Sequence, residues 1–358
     1  MTSAIEIYVG KTAKQKLLAE GLKPDHFDVV AGASGGPKWF TLFGLDKYLF
    51  GEFFANRDKP IYTIGSSAGS WRMACFAQKD PVAAIERLAH YYSTETYSEK
   101  PDVHEISDKA HLLLEKVLGE TGAEEIATNP IIQSHFIVAK AKGLNASENK
   151  YVQLLGLITA ATANIFSRNT IQHFFDRYIF HTQNEHFSKS YFQFSDLPTH
   201  YQTLTRAKVH HTLMASGSIP LVLRGIQDIH DSPEGVYRDG GIVDYHLDLD
   251  FNSSGLVLYP HFFPKVKPGW FDKGLRSRNA SINNFDKVVL VTPSKSHVKR
   301  LPFGKISDRT DFEKLDEKTR INYWTEVLDK SHLMAEDFKR LSEKGVSESD
   351  LIDIATIL

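Results

Sequence analysis

Apolar residues along this chain come in short blocks whose period switches between that of a buried strand and that of a helix. Residues 27–31 (FDVVA) are apolar enough for a buried central strand. They run into the glycine-rich turn GASGGPKW. Pro37 then stands where a first helical residue would, and Phe40, Leu42, Phe43, Leu45 and Leu49 follow at roughly helical spacing. Residues 61–64 predict a second strand, Gly65 a second turn, and residues 68–78 a second helix. Two consecutive strand–glycine turn–helix units predict an α/β fold with a central, mainly parallel sheet flanked by helices.

Further along, Asp80 is placed to cap a helix over 82–92, and 104–118 reads as another helix. Strands are predicted at 134–141, near Val236, at 255–259 and at 287–291, with a helix over 206–215. Residues 151–166 read as a helix apolar on most sides, expected to be buried or to face a lipid-shaped cavity. An irregular stretch, 261–284, contains Pro264, Pro268, Gly269 and Gly274. It divides a catalytic domain (1–262) from a loop and mainly helical C-terminal extension packed on it (263–358). In that extension Ile321, Trp324, Val327, Leu328 and Met334 mark an amphipathic helical region.

Charge and cysteine usage narrow the function classes. A formal net charge of -2 supplies no field that would draw the chain to nucleic acid. The single cysteine, Cys75, cannot form an internal disulfide or a thiolate metal cluster, and its apolar neighbours predict a buried small hydrophobe. The N-terminal run has no basic segment followed by an apolar core, so no Sec signal is expected. The most apolar stretch, 151–166, is interrupted by Gln153 and Asn164 and too short to span a bilayer. A cytoplasmic location is expected, with peripheral membrane contact or signal-free export both compatible.

The chemistry concentrates at two turns. Gly65-Ser66-Ser67-Ala68-Gly69 fits G-x-S-x-G with a strand before it and a helix after it. That context exposes a serine hydroxyl at a sharp turn, with flanking glycines Gly65 and Gly69 admitting close approach of strand and helix. An acyl-transfer serine also needs backbone N–H groups aimed at the developing oxyanion. Ser34-Gly35-Gly36-Pro37-Lys38 can supply them from Gly35 and Gly36, with Lys38 adding charge nearby. A nucleotide-cradling P-loop is the rival reading, but Pro37 and Trp39 break its pattern. For the base there are sixteen histidines, and a Ser-Asp-His triad would draw on His246, His261 or His297. Against it, the elbow follows only the second expected strand.

These blocks resemble the patatin-like phospholipase family. Ser34 to Trp39 is similar to its oxyanion block G-G-G-x-[KR]-G, with Ser34 and Trp39 replacing the first and last glycines. Gly65 to Gly69 matches its nucleophile block, and Asp239-Gly240-Gly241 its D-G-[GA] block. Ala215 to Pro220 is similar to its A-S-x-x-x-P stretch. The resemblance implies a three-layer sandwich with Ser67 and Asp239 as catalytic dyad, Gly35 and Gly36 as oxyanion hole, and Lys38, Gly65, Gly69 and Gly240 in support. It also implies hydrolysis of phospholipid or lysophospholipid acyl esters without cofactor, metal or nucleotide, on a lipid or membrane-surface substrate. A triad esterase on small soluble esters and a silent lipid-binding protein are the alternatives. Independently of the resemblance, a carboxylate beside two glycines after a short strand can be held rigidly against a neighbouring elbow.

Two other patterns stay open at this level. Asp244, His246, Asp248 and Asp250 alternate, so an extended strand would place all four on one face, as a metal site or a solvated surface. The stretch 261–278 interleaves Phe262, Phe263, Trp270 and Phe271 with lysines and arginines, as an interfacial membrane contact or a packed loop would.

Overall fold

The computed structural model describes residues 3–183 and 191–358. The strands among these residues are β1 (Ile5–Val9), β2 (Phe27–Gly32), β3 (Ile61–Ser66), β4 (Ile132–Ala141), β5 (Phe175–Thr182), β6 (Phe192–Gln193), β7 (Thr199–Leu204), β8 (Ile226–Gln227), β9 (Val236–Asp239), β10 (Asp250–Phe251), β11 (Leu256–Pro260), β12 (Val288–Pro293) and β13 (Leu351–Asp353). Eleven of them form one sheet in the order β13-β1-β12-β11-β2-β3-β4-β5-β7, with β9 paired to β4 and β8 to β9. From β12 through β4 every pairing is parallel. Antiparallel pairs lie outside that centre, at β1–β12, β4–β5 and β4–β9. β6 and β10 pair separately.

The parallel centre follows from composition. All six residues of β3 are buried, as a strand covered on both faces requires. The helices packed around it are α1 (Lys11–Glu20), α2 (Phe43–Tyr48), α3 (Ala68–Phe76), α4 (Pro81–Ser93), α5 (Val103–Leu118), α6 (Gly122–Thr128), α7 (Lys150–Phe166) and α8 (Arg206–Gly217). The Asp80 carboxylate accepts from the Ala83 N–H and caps α4 as expected. Cys75 is buried in the core, and burial pushes its thiol up, so it is inert packing.

Several expectations needed correction. β1 precedes the strand expected to be first, so the elbow follows the third strand. β1 escaped notice because Glu6 interrupts an already short apolar run. The helix expected after Pro37 is three successive geometries: a 3₁₀ segment Gly36–Leu42, α2, and a π turn Leu49–Phe53. α7 forms where expected but is neither buried nor turned to a cavity on its apolar side. Its inward residues are Gln153, Gly156, Leu157, Ala160 and Asn164, while Tyr151, Leu155, Ile158, Ile165 and Phe166 are 53% to 84% exposed. The reason is polar: Gln153 Oε1 accepts from the Leu221 N–H (2.8 Å) and Asn164 donates to Asp272 (2.7 Å).

Residues 263–358 carry β12 and β13 as well as α9 (Lys295–Arg300), α10 (Asp311–Lys314), α11 (Glu317–Lys330) and α12 (His332–Lys344). Trp324, Val327 and Met334 are fully buried, and the Trp324 ring meets Phe40 and Phe312 at 5.3 and 4.9 Å. Ile321 is only half-buried.

Candidate active site

The edge of β4 brings the site together. β5 pairs with residues 135–141 of β4. On the opposite edge β3 pairs as far as Ser66↔Ile137, and β9 takes over from Val138↔Asp239. β3 runs parallel to β4 and β9 antiparallel, so their carboxyl ends meet head-on along one edge. Ser67 and Asp239 leave those two ends, 172 positions apart in sequence.

Ser67 sits at φ 54°, ψ -125°, a conformation costly for a side-chain-bearing residue, held because the surroundings over-determine it. A Cβ on Gly69 would lie 1.9 Å from the Gly32 carbonyl oxygen, so only glycine lets α3 rest against the end of β2. Gly65 meets the Ser70 backbone, and Gly240 the Ile137 carbonyl, in the same close manner. Ser216 ties the elbow down: its hydroxyl accepts from the Ser67 N–H (3.0 Å), contacts the Ser70 hydroxyl (2.9 Å) and donates to the Ile137 carbonyl (2.7 Å).

The Ser67 hydroxyl donates to Asp239 Oδ2 at 2.7 Å, and the Gly241 N–H donates to Oδ1 at 2.6 Å. Both side chains are buried. Burial raises the Asp239 carboxyl to about 6, against the lowering effect of these hydrogen bonds and of Lys273 and Arg309. A carboxylate raised in this way can accept a proton near neutral pH, which an ordinary aspartate does poorly.

Beside the pair, Ser34 donates its N–H to the Tyr245 carbonyl (3.0 Å), fixing the glycine loop against the turn after Asp239. Gly36 has φ 54°. Among the described residues the Gly35 and Gly36 N–H groups donate to no protein acceptor, and both residues line the hollow that contains Ser67. Lys38 lines it too, ion-paired with Asp308 from the C-terminal segment. Burial alone would raise Asp308, but the hydrogen bonds from Lys38 and Thr310 hold it at about 2.

Two cavities meet at Ser67. One, of about 170 Å³, is lined by Ser34, Asp239, Tyr245, Trp270, Lys273 and Arg309 among others. The second, of about 790 Å³, has an apolar wall including Trp39, Trp71, Leu88, Leu113, Ile219 and Leu223. Sequence reasoning missed Ser216 as an anchor, although it had marked the segment 215–220. It also missed Asp308 and Arg309, which carry no motif, and left Lys273 in a stretch open to two readings, an interfacial membrane contact or a packed loop. That loop is packed: Phe262 and Lys267 are buried, Lys267 donates to the Leu275 carbonyl (2.8 Å), and Trp270 faces the small cavity.

The candidate histidines stand apart from the pair. His246 accepts from the Lys267 N–H (3.1 Å), and His261 is bonded to the Phe263 backbone. His297 is buried at the start of α9. Burial lowers all three, His261 to about 3 and His297 to about 4. Among the described residues no hydrogen bond joins any of them to Ser67 or Asp239. The alternating acidic stripe is not one strand face either. Asp244 pairs with the buried Arg177, Asp248 accepts from Ser281 and Asn284, and Leu247 between them has φ 38°.

The sequence model of the patatin-like phospholipase family matches residues 54–246, more than half of the chain and both members of the pair, but not the glycine loop. Among solved structures, human GIVD cytosolic phospholipase A2 is similar at 13% identity and TM-score 0.35, over 93% of this chain and 61% of that one. VipD from Legionella pneumophila is similar at 12% identity and TM-score 0.29, over 72% of this chain and 53% of that one. The chain thus spans less than two thirds of either. No curated protein matches. No helix among the described residues is long and apolar enough to cross a membrane.

Proposed function

Because the chain belongs to the patatin-like phospholipase family, we propose that it is a serine acyl hydrolase cleaving carboxylic esters of phospholipids or lysophospholipids through a Ser67–Asp239 dyad. The observation that carries this reading is the 2.7 Å hydrogen bond between Ser67 and Asp239 where an apolar and a polar cavity meet. The large cavity suits an acyl chain and the small one the polar remainder of the lipid.

In this mechanism Asp239 takes the hydroxyl proton as Ser67 Oγ bonds to the ester carbonyl carbon. The resulting oxyanion is stabilised by the Gly35 and Gly36 N–H groups. Collapse breaks the carbon–oxygen bond to the alcohol, which leaves with the proton held by Asp239. Water then gives a proton to Asp239 and its oxygen to the acyl carbon. The bond to Oγ breaks, the proton returns to Oγ, and the fatty acid departs. No step needs a cofactor.

The test is covalent labelling with a fluorophosphonate and peptide mapping. Wild-type protein is expected to label at Ser67, Ser67→Ala to lose the label, and Ser66→Ala to keep it. Labelling that persists in Ser67→Ala would falsify the assignment.

A further inference from the structure

Two cations in the small cavity are left without a carboxylate partner. Lys38 is neutralised by Asp308. Lys273 and Arg309 make no ion pair among the described residues. The Lys273 ammonium lies 3.8 Å from the centre of the Tyr245 ring and 5.7 Å from that of Trp270. Both cations line the hollow that holds Ser67 and Asp239. The charges facing it are therefore Lys38, Lys273 and Arg309 against Asp308 and Asp239. Lys273 and Arg309 both keep an exposed side, and partial desolvation of Lys273 within the hollow, with Lys38 and Arg309 nearby, draws it down to about 8.

We propose that Lys273 and Arg309 form a subsite for a phosphate-type anion beside the nucleophile. An anion there would satisfy both donors and relieve their mutual repulsion, and a guanidinium with an ammonium is a fitting pair for phosphate oxygens. Tyr245 and Trp270 wall the site and set its depth. Both cations lie beyond residues 54–246, so the family match does not assign them. The subsite rests on the acyl-hydrolase reading and makes that reading specific: the cleaved ester lies within reach of a phosphate on the same molecule. The same chemistry would also hold free phosphate.

The experiment compares 1-hexanoylglycerol 3-phosphate with neutral 1-hexanoylglycerol, in wild-type, Lys273→Met, Arg309→Met and Ser67→Ala proteins. The ratio of kcat/KM for the phosphorylated over the neutral ester is expected to fall about tenfold in each single cation variant. A fall in the ratio assigns the subsite to the substrate's own phosphate. An unchanged ratio with loss of competitive inhibition by inorganic phosphate assigns it to free phosphate. Unchanged ratio and unchanged inhibition overturn the subsite. Turnover that survives Ser67→Ala instead overturns the hydrolase reading beneath it.

A second observation is independent of the cavity. α7 turns Tyr151, Leu155, Ile158, Ile165 and Phe166 outward and contains no acidic residue. Lys150 stands exposed at its start, and the half-buried Arg278, which faces Asp272 at 3.8 Å, donates to the Asn164 carbonyl near its end. Through Gln153 the helix holds Leu221, which lines the large cavity, and through Asn164 it holds Asp272 in the turn that carries Trp270. We infer that this face seats on an anionic lipid bilayer, its apolar residues among the acyl chains and its flanking cations at the phosphates. The seated helix then reaches the two cavities one contact away, through Leu221 and through the turn of Trp270.

Binding is read by co-sedimentation with phosphatidylcholine vesicles containing phosphatidylglycerol, using Ser67→Ala protein so that catalysis plays no part. Leu155→Ser with Ile158→Ser is expected to weaken partitioning at least about tenfold, since each residue gives up apolar burial in lipid. Thermal unfolding checks that this exposed double variant keeps its fold. Undiminished partitioning overturns the inference. So does a wild-type dimer in solution that the double variant dissociates, which would assign the face to a second copy.

Discussion

The two cavities that meet at Ser67 differ in kind. The larger is walled mainly by apolar side chains from the glycine loop, α3, α4, α5 and residues 219–223, with charged residues, Arg309 and Arg320 among them, also lining it. The smaller is walled by backbone turns, Tyr245, Trp270 and cations contributed after residue 262. An apolar wall selects by length and volume, and each methylene changes affinity only modestly. A polar, partly desolvated wall selects by charge and hydrogen bonding, and can also tune the groups beside it. On the proposed reaction, the acyl chain belongs to the first side and the tuning of Asp239 to the second.

The largest expected effect comes from the partner of Ser67, the serine that both cavities share. Asp239→Asn cannot accept the Ser67 proton, and kcat should fall by about 10³-fold or more for neutral and phosphorylated esters alike. A loss confined to one substrate would break the idea of a common centre. Next, Leu113→Trp narrows the large cavity alone. It should lower kcat/KM for a long-chain ester about tenfold relative to a butyryl ester, measured on a chain-length series. Equal losses across the series would remove the acyl role from that cavity.

The pH profile sharpens the other side. In the proposed dyad Asp239 acts as a carboxylate, and burial raises it to about 6. Activity should therefore hold above that value and fall as pH drops through it, approaching tenfold per unit below. Lys273 lowers the Asp239 pKa, so Lys273→Met should move this acid limb upward. A limb that stays in place would separate Lys273 from the base. The smallest effect is expected at Ser216→Ala, behind the junction of the two cavities. It removes the acceptor for the Ser67 N–H and should cost about 1–3 kcal/mol in denaturant unfolding, with a few-fold loss of kcat at any chain length or charge.

Much of the site was legible because its parts are local. A glycine-flanked serine between a strand and a helix needs only five residues to be recognised, and the structure puts Ser67 in the strained turn that pattern implies. Asp239 was legible as a carboxylate between a strand end and two glycines. Lys273 and Arg309 were not, since a cation becomes informative only once its partners are known. α7 misled for the same reason: hydropathy measured its apolar residues correctly but not which way they point, and Gln153 and Asn164 decided that by bonding inward.

The sequence by itself determined much of the alternation of strands and helices and the two glycine turns, because these follow from side-chain chemistry within a few residues. Only the tertiary structure decided that Ser67 meets Asp239 and not a histidine. That choice depends on β3 and β9 sharing one edge of β4 from opposite ends, with registers that stop at Ile137 and begin at Val138. Hydrogen-bond registry between strands far apart in the chain is set by how the whole sheet packs, and no local pattern of residues encodes it.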